Sequence, residues 1–216
     1  MVINHDHKTY RKKWRTIGAN KYNGAFYYSK EICANIIPNV RTDRNWITLN
    51  IPGVGCDHAI VFVHNNVHPD HYDWMKKYDD MVLVCGVPET CKRAEHLGTA
   101  IYLPLSVDVE YVSQFKVDKK TKGTAYVGRK NKATWGEFPN ETELLCGMKR
   151  QTLLPAMAQY EKVYAVGRCA IEAKILGCEV LPYDPRFPDP SIWKIVDNKE
   201  AAFILQQLLD EIDGKE

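Results

Sequence analysis

The chain has no run of about twenty apolar residues, so nothing in it reads as a membrane-spanning helix. It lacks a Gly-x-Ser-x-Gly elbow and a Gly-Lys-Ser/Thr phosphate loop, the usual local marks of serine hydrolases and P-loop nucleotide hydrolases. Internal repeats and low-complexity segments are absent. Charge of one sign is also scarce: the net charge is +2, too little to indicate a nucleic-acid partner. Seven cysteines are present, at 33, 56, 85, 91, 146, 169 and 178, and no two are spaced Cys-x-x-Cys. An odd count and no recognisable secretion signal lead us to expect reduced thiols and a cytoplasmic location. Histidines cluster at His58, His64, His68 and His71, but Asn65, Asn66 and Pro69 oppose the helix that would align them. No cysteine or carboxylate pattern completes a zinc set, so no metal is expected.

What is present is ordinary for a globular chain of 216 residues: 45% hydrophobic and 26% charged. The pattern alternates strand and helix. Lys13 to Ile17 reads as a short strand. Ala25, Tyr28, Ile32 and Ile36 share a helical face that Pro38 ends. Trp46 to Ile51, His58 to His64 and Met81 to Cys85 read as strands, the latter two as buried parallel ones. Pro69 to Tyr78 and Pro88 to Leu97 read as helices, and Gly98 turns the chain into a strand from Ala100 to Leu103. Asp118-Lys-Lys-Thr-Lys-Gly123 reads as a linker before a strand at Thr124 to Val127. Helical segments are expected up to Tyr160, and Ala201 to Ile212 forms a last amphipathic helix. Strands separated by helices of this length predict an α/β fold, a Rossmann-like parallel sheet with helices on both faces. The expected domains are 1–118 and 123–216.

The most informative segment is Val163 to Pro182. Val163 to Val166 is a short apolar run and Gly167 opens a turn. Ala170, Ala173 and Leu176 follow at helical spacing, with Gly177 placed as a left-handed helix terminator. Glu172 is the one acidic residue in the first turns of this small-residue helix. A carboxylate there is placed to meet sugar hydroxyls, and the free N–H groups of the helix start favour an anion. The same residues also suit a helix packed closely on a sheet, with Glu172 only a favourable charge near its N-terminus.

Gly167-Arg-Cys-Ala-Ile-Glu-Ala-Lys-Ile-Leu-Gly-Cys-Glu-Val180 resembles the nucleotide-sugar motif of glycosyltransferases of the GT-B fold. Further pieces resemble that family in order: Tyr22-Asn-Gly-Ala-Phe26 its Gly-rich first loop, and Ala59-Ile-Val-Phe-Val-His-Asn-Asn66 a strand ending in His. Met81-Val-Leu-Val-Cys-Gly-Val-Pro88, Ile101-Tyr-Leu-Pro-Leu-Ser-Val-Asp108 and Tyr126-Val-Gly-Arg129 are similar to later segments. Two departures stand out. Tyr164 occupies the position of the family's first Glu, and residues 130–162 are too few for its usual strand–helix units.

The resemblance implies a GT-B-like fold with a reduced second domain and a nucleotide-diphosphate sugar as co-substrate, with no separate cofactor. It implies that Glu172 binds the ribose, that Arg129 and Lys132 bind the diphosphate, and that His64 faces the sugar. Gly24, Gly167 and Arg168 complete the expected site. The implied reaction is sugar transfer to an unknown acceptor, because cations and helix N-termini stabilise charge on a departing diphosphate. Two other expectations remain open: a module that binds a nucleotide or nucleotide sugar without transfer, and a partner-binding protein on a degenerate fold.

Overall fold

The computed structural model describes residues 28, 31–44, 46–49, 58–63, 80–129, 133 and 137–214. In chain order, a π-helical turn at Ile32–Ile36 and a 3-10 turn at Ile37–Asn39 precede β1 (Trp46–Leu49), β2 (Ala59–Val63) and β3 (Met81–Cys85). Then come α1 (Pro88–Ala94), β4 (Thr99–Tyr102), α2 (Val109–Ser113), β5 (Lys122–Gly128) and β6 (Glu143–Cys146). α3 (Arg150–Met157), β7 (Tyr160–Tyr164), α4 (Arg168–Ile175), β8 (Glu179–Leu181) and α5 (Asn198–Ile212) complete the order. Among the described residues no helix is long and apolar enough to cross a membrane. The strand expected at Lys13 to Ile17 and the helix expected at Pro69 to Tyr78 lie outside the described residues.

The chain divides into two compact units, and neither is continuous in sequence. The first includes Ile32–Pro104 and the end of the chain from Lys199, so α5 belongs to it after Asn198. The second joins Asn20–Glu31 to Leu105–Asn198, and the polar 118–123 segment lies inside it.

The first unit holds a four-stranded parallel sheet in the order β1-β2-β3-β4. β2 and β3 are buried at every position, as continuous apolar runs demand when both faces are covered. Ala59, Val61, Val63, Met81, Leu83 and Cys85 pack on one face with Ala94 and Leu97 from α1 and the turn after it. Ile60, Phe62, Val82 and Val84 are buried on the opposite face. At the amino edge, buried Arg44 donates to Asp80 at 2.9 Å and to Asp213 at 2.6 Å. His58 stands beside the same carboxylate with its Nδ1, and its Nε2 lies 3.3 Å from Asp43. Asp80 above all, then Asp43, raises the His58 pKa against the opposing pull of burial.

The second unit holds a four-stranded parallel sheet in the order β6-β5-β7-β8. The chain steps one way from β5 to β6, then returns past β5 to β7 and continues outward to β8. Right-handed crossovers therefore put α3 and α4 on one face. Ala125, Val127 and Val163 are buried on that face, and α3 and α4 contribute buried Leu154, Met157, Ala170, Ile171 and Ala173. Thus α3 and α4 cover one face of this sheet. The other face carries an aromatic group: Tyr126 meets Tyr183 at 4.9 Å, and Phe138 from the β5–β6 connection meets Tyr164 at 4.8 Å.

Local chemistry explains the ends of these elements. Gly177 has φ 77° and ends α4. Its N–H bonds Lys174 O at 3.0 Å while the Cys178 N–H bonds Ala173 O at 2.9 Å, a Schellman closure that a side chain at Gly177 would strain. Lys120 supplies a second closure. Its ammonium donates to Ala158 O at 2.8 Å and Leu176 O at 2.6 Å, the cap positions of α3 and α4, where helix dipoles favour a cation. With both C-termini held at Lys120, both N-termini point to the carboxyl edge of the sheet.

Candidate functional site

The strand order reverses between β5 and β7 in the second sheet. Open α/β sheets bind ligands beyond the carboxyl ends of their strands, where the connections depart in opposite directions. Three arginines follow three adjacent strands here: Arg150 after β6, Arg129 after β5 and Arg168 after β7. Arg129 is exposed, and its carbonyl accepts from the Tyr126 hydroxyl at 2.9 Å. Gly167 caps α4 at φ 63° and ψ −139°, a conformation that glycine adopts without the Cβ penalty.

The other two arginines are buried. Arg168, at the first position of α4, is 4% exposed, and Arg150, at the first position of α3, is 9% exposed. Both donate to one oxygen of buried Glu31, Arg168 at 2.5 Å and Arg150 also within bonding distance. The other Glu31 oxygen accepts from Asn198 Nδ2 at 3.0 Å and from the Asp108 backbone N–H at 3.1 Å. Glu172 lies on the opposite side of Arg150, with Oε1 2.9 Å from Nε and 4.0 Å from Arg168 Nη2. Arg168 Nε donates to Ser106 O at 3.2 Å, and the Ser106 hydroxyl donates to Asn198 Oδ1 at 2.8 Å. Tyr28 and Tyr111 cover the guanidinium planes, Arg168 over Tyr28 at 5.5 Å and Arg150 over Tyr111 at 5.2 Å.

The two carboxylates are in different electrostatic positions. Burial opposes the charge on Glu31, but Arg168 and Arg150, with the Asn198 bond, outweigh it and hold the carboxyl below its ordinary range. For Glu172 burial dominates, and with Glu31 nearby it raises the pKa despite Arg168 and Arg150. Glu31 is therefore the firm counter-ion of the cluster.

Of the site expected from sequence, the structure brings Arg168 and Glu172 together at the start of α4, with Gly167 preceding them, and puts Arg129 at the end of the neighbouring strand. Gly24, Lys132 and His64 lie outside the described residues. Glu31, Arg150, Ser106 and Asn198 were not anticipated. Arg150 had a readable signal: Lys149-Arg150 opens a helix shortly after a strand, as Gly167-Arg168 does. Glu31 had none, because its partners at 150, 168 and 198 are more than a hundred residues away in sequence.

Chemically, the cluster is a buried ion-pair network in which two guanidinium groups, a side-chain amide and a backbone N–H converge on the Glu31 carboxylate. Among the described residues no group of three or more His, Cys, Asp or Glu side chains can hold a metal ion. Cys85, Cys91, Cys146, Cys169 and Cys178 are free thiols. Compared with known proteins, the chain matches no protein-family model and no curated protein.

Proposed function

We propose that the carboxyl edge of the second sheet binds the diphosphate of a nucleotide sugar, and that the chain is a compact GT-B-like glycosyltransferase acting on an unknown acceptor. The observation that carries this reading is the strand-order reversal at β5 and β7, with arginines following three adjacent strands. A departing diphosphate gathers negative charge, and fixed cations at helix starts stabilise it without reorganisation. Arg129 is the exposed cation available to a phosphate. Gly167 lets the chain pass close to a ligand, and Arg168 and Glu172 begin the helix behind it. In this reading Lys132 adds to the diphosphate contacts, Gly24 lies by the first loop, and His64 faces the sugar.

A second reading is favoured by a specific observation. Arg168 and Glu172 are engaged with Glu31 and Arg150, and Tyr164 packs against Phe138. A chain with these internal partners can bind a nucleotide or nucleotide sugar without transferring it.

Thermal shift with nucleoside diphosphates and their sugars tests the common part, since a ligand selective for the native state raises Tm. Saturable stabilisation is expected, with Arg129→Ala weakening affinity by roughly tenfold or more, the effect of losing one charge-assisted hydrogen bond. No shift with any uridine, guanosine, adenosine, cytidine or thymidine diphosphate would refute the proposal. Release of free nucleoside diphosphate from a bound donor distinguishes transfer from binding alone.

A further inference from the structure

The amino edge of the first sheet brings together charged side chains that lie far apart in the sequence. Asp43 and Arg44 precede β1, His58 precedes β2, Asp80 precedes β3 and Asp213 follows α5. The His58 ring is bracketed by carboxylates, with Asp80 at its Nδ1 and Asp43 3.3 Å from its Nε2. A neutral imidazole has one N–H and one lone pair, so it can donate to only one of them, whereas the protonated ring donates to both. The bracket therefore selects the charged ring. His58 holds this place through a left-handed backbone with φ 61°, a conformation that costs a non-glycine residue free energy. The Asp80 carbonyl is tied to the same spot, accepting from the Ala59 N–H at 3.0 Å.

Asp80 is shared between cations. Its Oδ2 meets His58, while its Oδ1 accepts from Nη1 of buried Arg44 at 2.9 Å. Nη2 of Arg44 donates to Asp213 at 2.6 Å. Asp213 closes the last turn of α5, with its N–H on Leu209 O at 2.9 Å. A carboxylate is unfavourable at that end, where the helix dipole already gathers negative charge, and the Arg44 guanidinium offsets it. Protonated His58 and Arg44 together face the carboxylates of Asp43, Asp80 and Asp213. With His58 neutral, Arg44 is the remaining cation of this group, and the added repulsion falls on Asp213 as well as on Asp43 and Asp80.

We propose that His58 is a pH-sensitive latch: its protonated ring bridges Asp80 and Asp43 and leaves Arg44 to hold Asp213, and loss of the proton slackens the end of α5. The latch lies in the first unit and is independent of any ligand at the second sheet. Asp80 first, then Asp43, raises the His58 pKa over the opposing effects of burial and Arg44. The contribution is therefore fully present below the unfolded histidine pKa of about 6.5 and is lost as pH rises through the folded value.

The test is a heteronuclear NMR titration of the full chain across the ordinary histidine pKa of about 6.5, for wild type, Asp43→Asn and His58→Asn. Asparagine accepts the left-handed backbone at position 58 but does not titrate. The wild-type His58 ring is expected to titrate above about 6.5, with the Asp213 and Gly214 amide signals moving at the same midpoint. Asp43→Asn is expected to lower that midpoint by roughly 0.2–0.7 pH unit, as loss of an exposed ion pair would. His58→Asn is expected to abolish the transition at Asp213 and Gly214. The wild-type and Asp43→Asn titrations decide the matter even if His58→Asn does not fold. A ring titrating at or below about 6.5, a midpoint unmoved in Asp43→Asn, amides of Asp213 and Gly214 that do not follow the ring, or the same transition persisting in His58→Asn overturns the latch.

Discussion

Replacing Glu31 with glutamine perturbs the buried charges with almost no change in shape. Glutamine keeps one oxygen for the guanidinium forks but turns an NH2 group toward Asn198 Nδ2 and the Asp108 N–H, two donors that then lack an acceptor. It also leaves Arg150 and Arg168 with Glu172 as their remaining carboxylate partner in the cluster. Breaking a buried ion pair from one side costs about 3–5 kcal/mol. For a chain of this size that corresponds to a Tm lower by roughly 6–20 °C. Glu172→Gln is expected to cost less, because burial already disfavours the Glu172 charge. The pH dependence separates the two residues further. The lowered Glu31 pKa contributes stability present above the unfolded carboxylate pKa of about 4.3, lost as pH falls through the folded value. The raised Glu172 pKa acts oppositely, so its contribution declines as pH climbs from about 4.3 through its folded value. Urea unfolding of wild type and both variants at pH 7 and at a series of acid pH values reads these differences. A Glu31→Gln cost below about 1 kcal/mol, within the range of a typical exposed ion pair, would refute the reasoning. So would a Glu172→Gln cost equal to or above it.

Two further outcomes test the frame around the site. Lys120→Met removes the one ammonium that closes α3 and α4 and is expected to destabilise the protein by about 1–3 kcal/mol in urea unfolding; an unchanged midpoint would show that water closes these carbonyls equally well. Gly128→Ala puts a Cβ 2.4 Å from the Tyr126 hydroxyl and 3.2 Å from that of Tyr183, and since Tyr126 is wholly buried the ring cannot swing to solvent. A loss of about 1–3 kcal/mol is expected from this overpacking, and stability equal to wild type would contradict it.

Much of the scaffold was legible because it rests on local signals. The apolar runs at Ala59 to Val63 and Met81 to Cys85 are parallel strands, and Gly177 ends its helix in the left-handed conformation expected. The helix expected over Ala25 to Ile36 emerges, in its described part, with a π-helical turn at Ile32–Ile36 before Pro38. β6 was missed: Glu143-Leu-Leu-Cys146 is four residues long, too short for periodicity to separate a strand from a helix. The strand before Gly167 begins earlier than its apolar run suggests, at Tyr160, because the Tyr160 and Val163 side chains are buried while Glu161 and Lys162 face solvent. Arg168 and Glu172 were visible through their spacing on one helix. Their partner Glu31 was not, since an ion pair across such a sequence distance leaves no periodic trace.

The closing helix has a consequence for the order of synthesis. Leu205 and Leu209 of α5 are fully buried, and Asp213 and Gln206 bond Arg44 and Arg41 of the first unit. The first unit therefore leaves the ribosome early but receives its last helix only after the whole of Leu105–Asn198 has been made. At about 5–20 residues per second, this delay is on the order of 5–20 s. During that time the apolar positions that await α5 have no native cover, whereas the second unit has all its segments, Glu31 included, as soon as Asn198 emerges. The unit translated second is thus the first able to finish folding, and a nascent-chain chaperone would find its longest-lived apolar target in the earlier half of the protein.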